Sequence, residues 1–190
     1  MNASELDLLR TLRDRGALLD GHFRLSSGRH SNRFIQKFRI LESPPLVESV
    51  AKRIAEHFRD SHPTIVVSAA VGGIVLGYEV GRQLGTEAIF VEKEDGVAKL
   101  RRSFLLRPTD RVLVVEDVVT TGMSVREVLG VVRDAGATVI GVGVIVERGE
   151  ADFGVPTFAL LKLPIESYEA DACPLCRAGT PITDPGSRRS

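Results

Sequence analysis

The segment RVLVVEDVVTTGMS, residues 111–124, constrains this chain more than any other. Arg111–Glu116 is a short apolar run dominated by valine, too short for a buried helix and rich in β-branched residues. It reads as a strand buried on both faces. Immediately beyond it, Gly122–Ala135 carries Val125, Val128, Leu129 and Val132 at helical spacing, which predicts an amphipathic helix with one apolar face. A buried strand passing within a few residues into such a helix is the unit of a parallel sheet covered by helices on both faces.

The rest of the chain repeats this pattern. Further strands are expected at Thr64–Ser68, Ala88–Val91, Val139–Val146 and Phe158–Leu161, and a helix at Gly72–Leu84. Before them, Ser43-Pro44 opens a helix whose Leu46, Val50, Ile54 and Phe58 recur every four residues. At the start of the chain, Ser4 is the expected cap of a helix to about Arg15, with Leu6, Leu8, Leu9 and Leu12 inward and Gly16 ending it. Residues 17–41 alternate loosely and predict short strands in a hairpin. The end of the chain, ITDPGSRRS, is polar and expected to be loose. A chain of 190 residues fits one α/β domain, and right-handed crossovers are expected of the parallel sheet.

Ligands of such sheets bind beyond the carboxyl ends of the strands. That places attention on Ser68, Glu92, Glu116 and Glu147 and on the residues just after each. The segment after the strongest strand is the most informative. Glu116 and Asp117 supply two carboxylates. Val118, Val119, Thr120, Thr121, Gly122, Met123 and Ser124 then lead into the helix. The first N–H groups of a helix have no partner within it and, with the helix dipole, hold anions. Gly122 permits a tight turn and the hydroxyls add donors. Carboxylates for ribose hydroxyls beside a cradle for a phosphate suit a sugar phosphate. An ordinary strand–helix joint with threonine caps would explain a bare T-T-G, but not the whole pattern. Neither G-x-x-x-x-G-K-[ST] nor G-x-G-x-x-G occurs in this segment.

Charge and composition narrow the class. Lys plus Arg and Asp plus Glu each number 25. Zero net charge gives no general drive toward nucleic acid. No apolar run approaches the roughly 20 residues of a membrane span, and the first residues lack the apolar stretch of a signal peptide; a cytoplasmic protein is expected. Cys173 and Cys176 form one C-x-x-C, half of a tetrahedral metal site. The histidines at 22, 30, 57 and 62 are far from it in sequence. The cysteines are therefore read as structural thiols, with a metal bridged across a dimer as the alternative. His22 and His30 lack ligand-like spacing and are read as surface or hood residues.

Residues 112–124 resemble the ribose-phosphate motif of type I phosphoribosyltransferases, which use phosphoribosyl diphosphate (PRPP). Three further segments resemble the orotate phosphoribosyltransferases: GHFRLSSGRHSNRFIQ (21–36) as an N-terminal hood, SAAVGGI (68–74) as a diphosphate loop, and VERG (146–149) as the site of an orotate-binding arginine. The resemblance implies that fold, with a hood at about 16–42, and transfer of ribose 5-phosphate from PRPP to orotate. It implies Mg²⁺ held through the substrates rather than by direct protein ligands, and no covalent nucleophile. Glu116–Ser124 would hold PRPP. Thr120, Arg148 and Phe34 would contact orotate, while hairpin core is the other reading of Phe34. Residues 93–104 match a mobile loop exchanged between the subunits of a homodimer, with Lys93 binding PRPP and Lys99 acting with Asp117 in catalysis. Ser26 and Gly72 stand where many members have lysine, and Arg24, Arg29 or the amides of Gly72 and Gly73 are candidate replacements. A purine phosphoribosyltransferase and a PRPP-sensing regulator share the motif, but the first leaves the hood and Arg148 unexplained. Zero net charge and the lack of an added DNA-binding element weigh against the second.

Overall fold

A computed structural model describes residues 1–25 and 27–185. Ser26 and the last five residues of the polar tail lie outside them. In chain order the elements are α1 (Ala3–Asp14), β1 (Leu18–Arg24), β2 (His30–Ile35), α2 (Phe38–Leu41), α3 (Pro44–Phe58), β3 (Ile65–Ala69), α4 (Gly72–Leu84), β4 (Glu87–Glu94), β5 (Val97–Leu100), β6 (Arg111–Val119), α5 (Met123–Asp134), β7 (Thr138–Glu147), β8 (Thr157–Lys162), β9 (Ser167–Tyr168) and α6 (Pro174–Arg177). They fall into two compact units, Ile40–Leu163 and Met1–Arg39 with Pro164–Ser190.

The larger unit holds a six-stranded sheet in the order β5-β4-β3-β6-β7-β8. Its pairings are parallel except for β5, which runs antiparallel to β4. The chain leaves the central β3 for β4 on one side, then returns to lay β6 on the other. The strand order therefore reverses between β3 and β6, and the carboxyl ends there border the crevice where ligands of such sheets bind.

Period-two alternation divides the strand side chains between two faces. Ile65, Val67, Val112, Val114, Val142 and Val144 pack with Val125, Val128, Leu129 and Val132 of α5. On β7, Gly141 and Gly143 admit α3: a Cβ on Gly143 would stand 2.5 Å from Ile54 Cγ2, and one on Gly141 would stand 2.4 Å from Phe58. This close packing explains two glycines in a buried strand, where glycine is otherwise unfavourable.

The smaller unit pairs β1 with β2 and β2 with β9, all antiparallel. It recruits more chain than the hood expected at 16–42, taking in α1 and the C-terminal segment. Three expectations are corrected here. Asn2, not Ser4, caps α1: its side chain accepts from the Glu5 N–H and Glu5 answers to the Asn2 N–H, the reciprocal geometry of a capping box. Of the four leucines, Leu8 and Leu12 are buried while Leu6 is exposed. The tail is ordered further than its polarity suggested, since the Thr183 N–H donates to His22 O at 2.8 Å and Thr183 O accepts from the Arg24 N–H at 3.0 Å.

Candidate active site

Strand β6 runs to Val119, so Glu116 and Asp117 lie inside it rather than beyond its end, at 6% and 1% exposure. Each carboxylate is held by the backbone. The Asp117 N–H donates to Glu116 Oε1 at 3.0 Å, and the Val118 N–H donates to Asp117 Oδ1 at 2.6 Å. Charge-assisted bonds of this kind fix carboxylate orientation before a ligand arrives. Glu116, Val118–Ser124 and Val125 line a cavity of about 50 Å³, ending on the first turn of α5. The expected strand, turn and helix are therefore brought together in one pocket.

Gly122 makes that turn possible for two reasons. Its φ of 77° lies in the left-handed region, and a Cβ there would meet the Phe153 ring at 2.7 Å. Phe153, buried in the core beside α5, braces the cradle from below, and the Arg126 guanidinium lies 5.3 Å from its ring centroid. Sequence reading missed Phe153 because it sits in an aperiodic stretch, ADFGVP, that carries no signal of its own.

The neighbouring carboxyl ends complete the site. Ser68 of β3 pairs with Val115 of β6. A Cβ on Gly73, at the start of α4, would stand 3.5 Å from Glu116 Oε1. The candidate diphosphate loop thus abuts the carboxylates. On the other side, Val119 pairs with Glu147, the Arg148 N–H donates to Val119 O at 2.8 Å, and a Cβ on Gly149 would be 3.0 Å from Thr120 O. Arg148 and Thr120 are therefore neighbours, as expected. Burial pushes the Arg148 pKa down, and its Nε makes no hydrogen bond within the described residues. A cavity of about 780 Å³ elsewhere in this unit is lined by Ile65, Glu87 and Asp110, at the amino ends of the strands and so away from this chemistry.

Other expected cations are already engaged. Residues 93–104, expected as a loop, contribute to a β-hairpin of β4 and β5 in which Glu92 pairs with Lys99 and Lys93 with Ala98. Lys93 Nζ lies 2.8 Å from Glu127, Lys99 Nζ 3.0 Å from Glu94, and Arg102 Nε 3.0 Å from Glu92. The hairpin forms because Asp95 and Gly96 adopt positive φ at its turn, a turn the high charge of the segment obscured. In the smaller unit, Arg24 pairs with Asp184, and Arg29 bonds to Ser167 and Glu169, so neither is a spare cation. Phe34 packs on Phe23 with ring centroids 5.9 Å apart, which is the hairpin-core reading.

His22 and His30 lie in the hairpin, as hood residues, but not at its surface. His22 and His30 are buried, at 3% and 7% exposure, and their rings meet Cys173 and Cys176. Separation of about 150 positions hid this cluster in the sequence; antiparallel pairing and the returning tail create it.

Comparison with known proteins agrees with this geometry. A family model, the phosphoribosyl transferase domain, matches residues 38–154. The orotate phosphoribosyltransferase of Chlorobaculum parvum is 50% identical over 184 residues, covering 96% of this chain and 95% of that one. That of Heliobacterium modesticaldum is 49% identical over 189 residues, covering 97% and 99%. The crystal structure of orotate phosphoribosyltransferase from Aeropyrum pernix superposes with a TM-score of 0.70 at 30% identity, covering 82% of this chain and 93% of that one.

Proposed function

The chain belongs to the phosphoribosyltransferase family, and on that premise we infer that it is an orotate phosphoribosyltransferase of pyrimidine biosynthesis. It transfers the phosphoribosyl group of PRPP to orotate, giving orotidine 5′-monophosphate and diphosphate. The observation that carries the choice of base is Arg148: a partly desolvated guanidinium beside Thr120, with an Nε that no residue of the described chain uses. A guanidinium fork matches a planar carboxylate, and among common nucleobase substrates orotate is the one that brings a carboxylate.

A ring nitrogen of orotate, giving up its proton to solvent, attacks the anomeric carbon. The new C–N bond forms as the C–O bond to diphosphate breaks, and the diphosphate leaves with the bonding electrons. The amides and hydroxyls of Thr120–Ser124 hold the 5′-phosphate at the start of α5. Glu116 and Asp117 accept the ribose hydroxyls, fixing the sugar and favouring the positive charge that develops on it. The Gly72 and Gly73 amides face the diphosphate. Buried carboxylates fit a hard divalent cation, which takes oxygen ligands. Mg²⁺ bound through the diphosphate and ribose oxygens would neutralise the leaving group, with Glu116 and Asp117 acting on the ribose or through water.

Lys93 and Lys99 serve the departing diphosphate after leaving Glu127 and Glu94. Exposed ion pairs are worth only about 0–1 kcal/mol, so an incoming polyanion displaces them readily. The enzyme acts as a homodimer that exchanges this hairpin between active sites. Val71, just before α4, and Val75 and Tyr78 on it support the dimer, since they form an exposed apolar stripe. No helix of the described residues is long and apolar enough to cross a membrane, and we place the enzyme in the cytoplasm with its charged substrates.

The test is direct. The protein is mixed with Mg²⁺ and PRPP, and orotate, uracil, adenine and hypoxanthine are followed in parallel. Orotate consumption is expected; adenine turnover without it would overturn the assignment.

A further inference from the structure

We propose that His22, His30, Cys173 and Cys176 form a structural zinc site that fastens the C-terminal segment to the hairpin of β1 and β2. One ligand atom from each residue lies within 4.8 Å of every other. His22 Nε2 is 3.1 Å from His30 Nδ1, 3.5 Å from Cys173 Sγ and 3.7 Å from Cys176 Sγ, and Cys176 Sγ is 3.2 Å from His30 Nδ1. Zinc bonds of about 2.3 Å to sulfur and about 2.0 Å to nitrogen, at tetrahedral angles, give edges of about 3.3 Å between nitrogens and about 3.5 Å from nitrogen to sulfur. Four of the six edges thus already match a zinc tetrahedron, and the other two, both to Cys173, lie within 4.8 Å.

The protonation pattern agrees. His22 Nδ1 lies 2.8 Å from Thr180 O, which can only accept. In neutral His22 the proton is therefore on Nδ1, and Nε2 turns a lone pair toward the other three groups. A carbonyl that fixes the tautomer of a ligating histidine is the usual outer support of a metal site. Two nitrogens and two thiolates suit zinc, which has no geometric preference of its own and no redox chemistry. All four corners are protein atoms, so no position is left for substrate and the role is structural. His22, His30 and Cys173 are buried, while Cys176 is exposed and gives the ion its way in.

The fold supplies a reason for such a staple. The smaller unit has few buried apolar side chains, chiefly Leu8, Leu12, Leu18, Phe23 and Ile35. Small units without a sufficient core are commonly held by a metal or disulfides. Here the site links β1 and β2 to residues 173–184, which otherwise dock through the Thr183 backbone bonds, the Arg24–Asp184 pair and the Thr180 contact.

The whole protein is purified without a metal-affinity step, and its zinc and free thiols are measured. One zinc per chain is expected. After chelation under reducing conditions, added Co²⁺ should produce a thiolate-to-cobalt charge-transfer band with tetrahedral visible bands. Cys176→Ser, conservative at an exposed position, should abolish stoichiometric zinc and that band while the circular dichroism of the sheet persists. His30→Ala should do the same. A zinc-free protein whose reduced form gives no such band overturns the site, as does a Cys173–Cys176 disulfide in the purified chain. Full zinc retention by Cys176→Ser overturns it as well.

Discussion

Single residues divide here into those that meet the ligand and those that hold them in place. Under the proposed function, Arg148 belongs to the first group. Removing its charged hydrogen bonds to orotate should cost about 2 kcal/mol, or about 30-fold. Arg148→Ala is thus expected to raise the orotate KM by about that factor while the PRPP KM stays near its original value. Unchanged orotate kinetics would remove Arg148 from the site. Gly122 belongs to the second group. Alanine there costs about 1–2 kcal/mol from the left-handed backbone alone, and the Phe153 ring would have to move. Gly122→Ala should lower the urea midpoint and weaken PRPP binding together. Gly130, in the same helix with nothing within 4 Å of its would-be Cβ, is the control: Gly130→Ala should stabilise by about 0.5–1 kcal/mol.

Among the elements, the hairpin of β4 and β5 departs furthest from its expected form. A stretch so rich in charge reads as solvated loop, yet its opposite charges pair across the strands and to α5. Glu94 shows the consequence. Lys99, through its hydrogen bond, and Arg101 hold its carboxyl below the usual range, and Arg102 does the same for Glu92. A depressed folded-state pKa gives a contribution present above the unfolded value and lost as pH falls through the folded one. The hairpin should therefore loosen on acidification below the ordinary carboxylate range. Glu94→Gln should imitate this at neutral pH, increasing protease nicking between residues 93 and 104. Global stability should hardly change, as for exposed pairs generally. Unaltered nicking would mean that the strand pairing, not the ion pairs, holds the hairpin.

On the scale of the molecule, the stripe of Val71, Val75 and Tyr78 leaves apolar surface on α4 without a partner in the described chain. If two chains meet there and share active sites, a charge in the stripe should separate them and remove activity at once. Tyr78→Glu is expected to sediment as a monomer and to lose turnover while keeping the α/β circular dichroism of the parent. A Tyr78→Glu dimer with full activity would place the interface elsewhere.

Residues 111–124 determined by sequence alone both the parallel sheet and the strand–turn–helix pocket at its edge. The reason is local: a buried strand, a turn and a helix N-terminus are written in consecutive residues, and periodicity reports them directly. Helix α4 and strands β3, β4, β6, β7 and β8 were legible on the same ground, but β5 was not, and the α1 cap was missed because Asn2 and Ser4 both qualify and only the Glu5 geometry separates them. Tertiary structure alone decided the rest. It set the carboxylates inside β6, placed Phe153 under Gly122, and tied Lys93 to Glu127. It also gathered His22 and His30 with Cys173 and Cys176. These are contacts between distant parts of the chain, and no local spacing encodes them. Strand pairing and the return of the tail bring them within bonding distance.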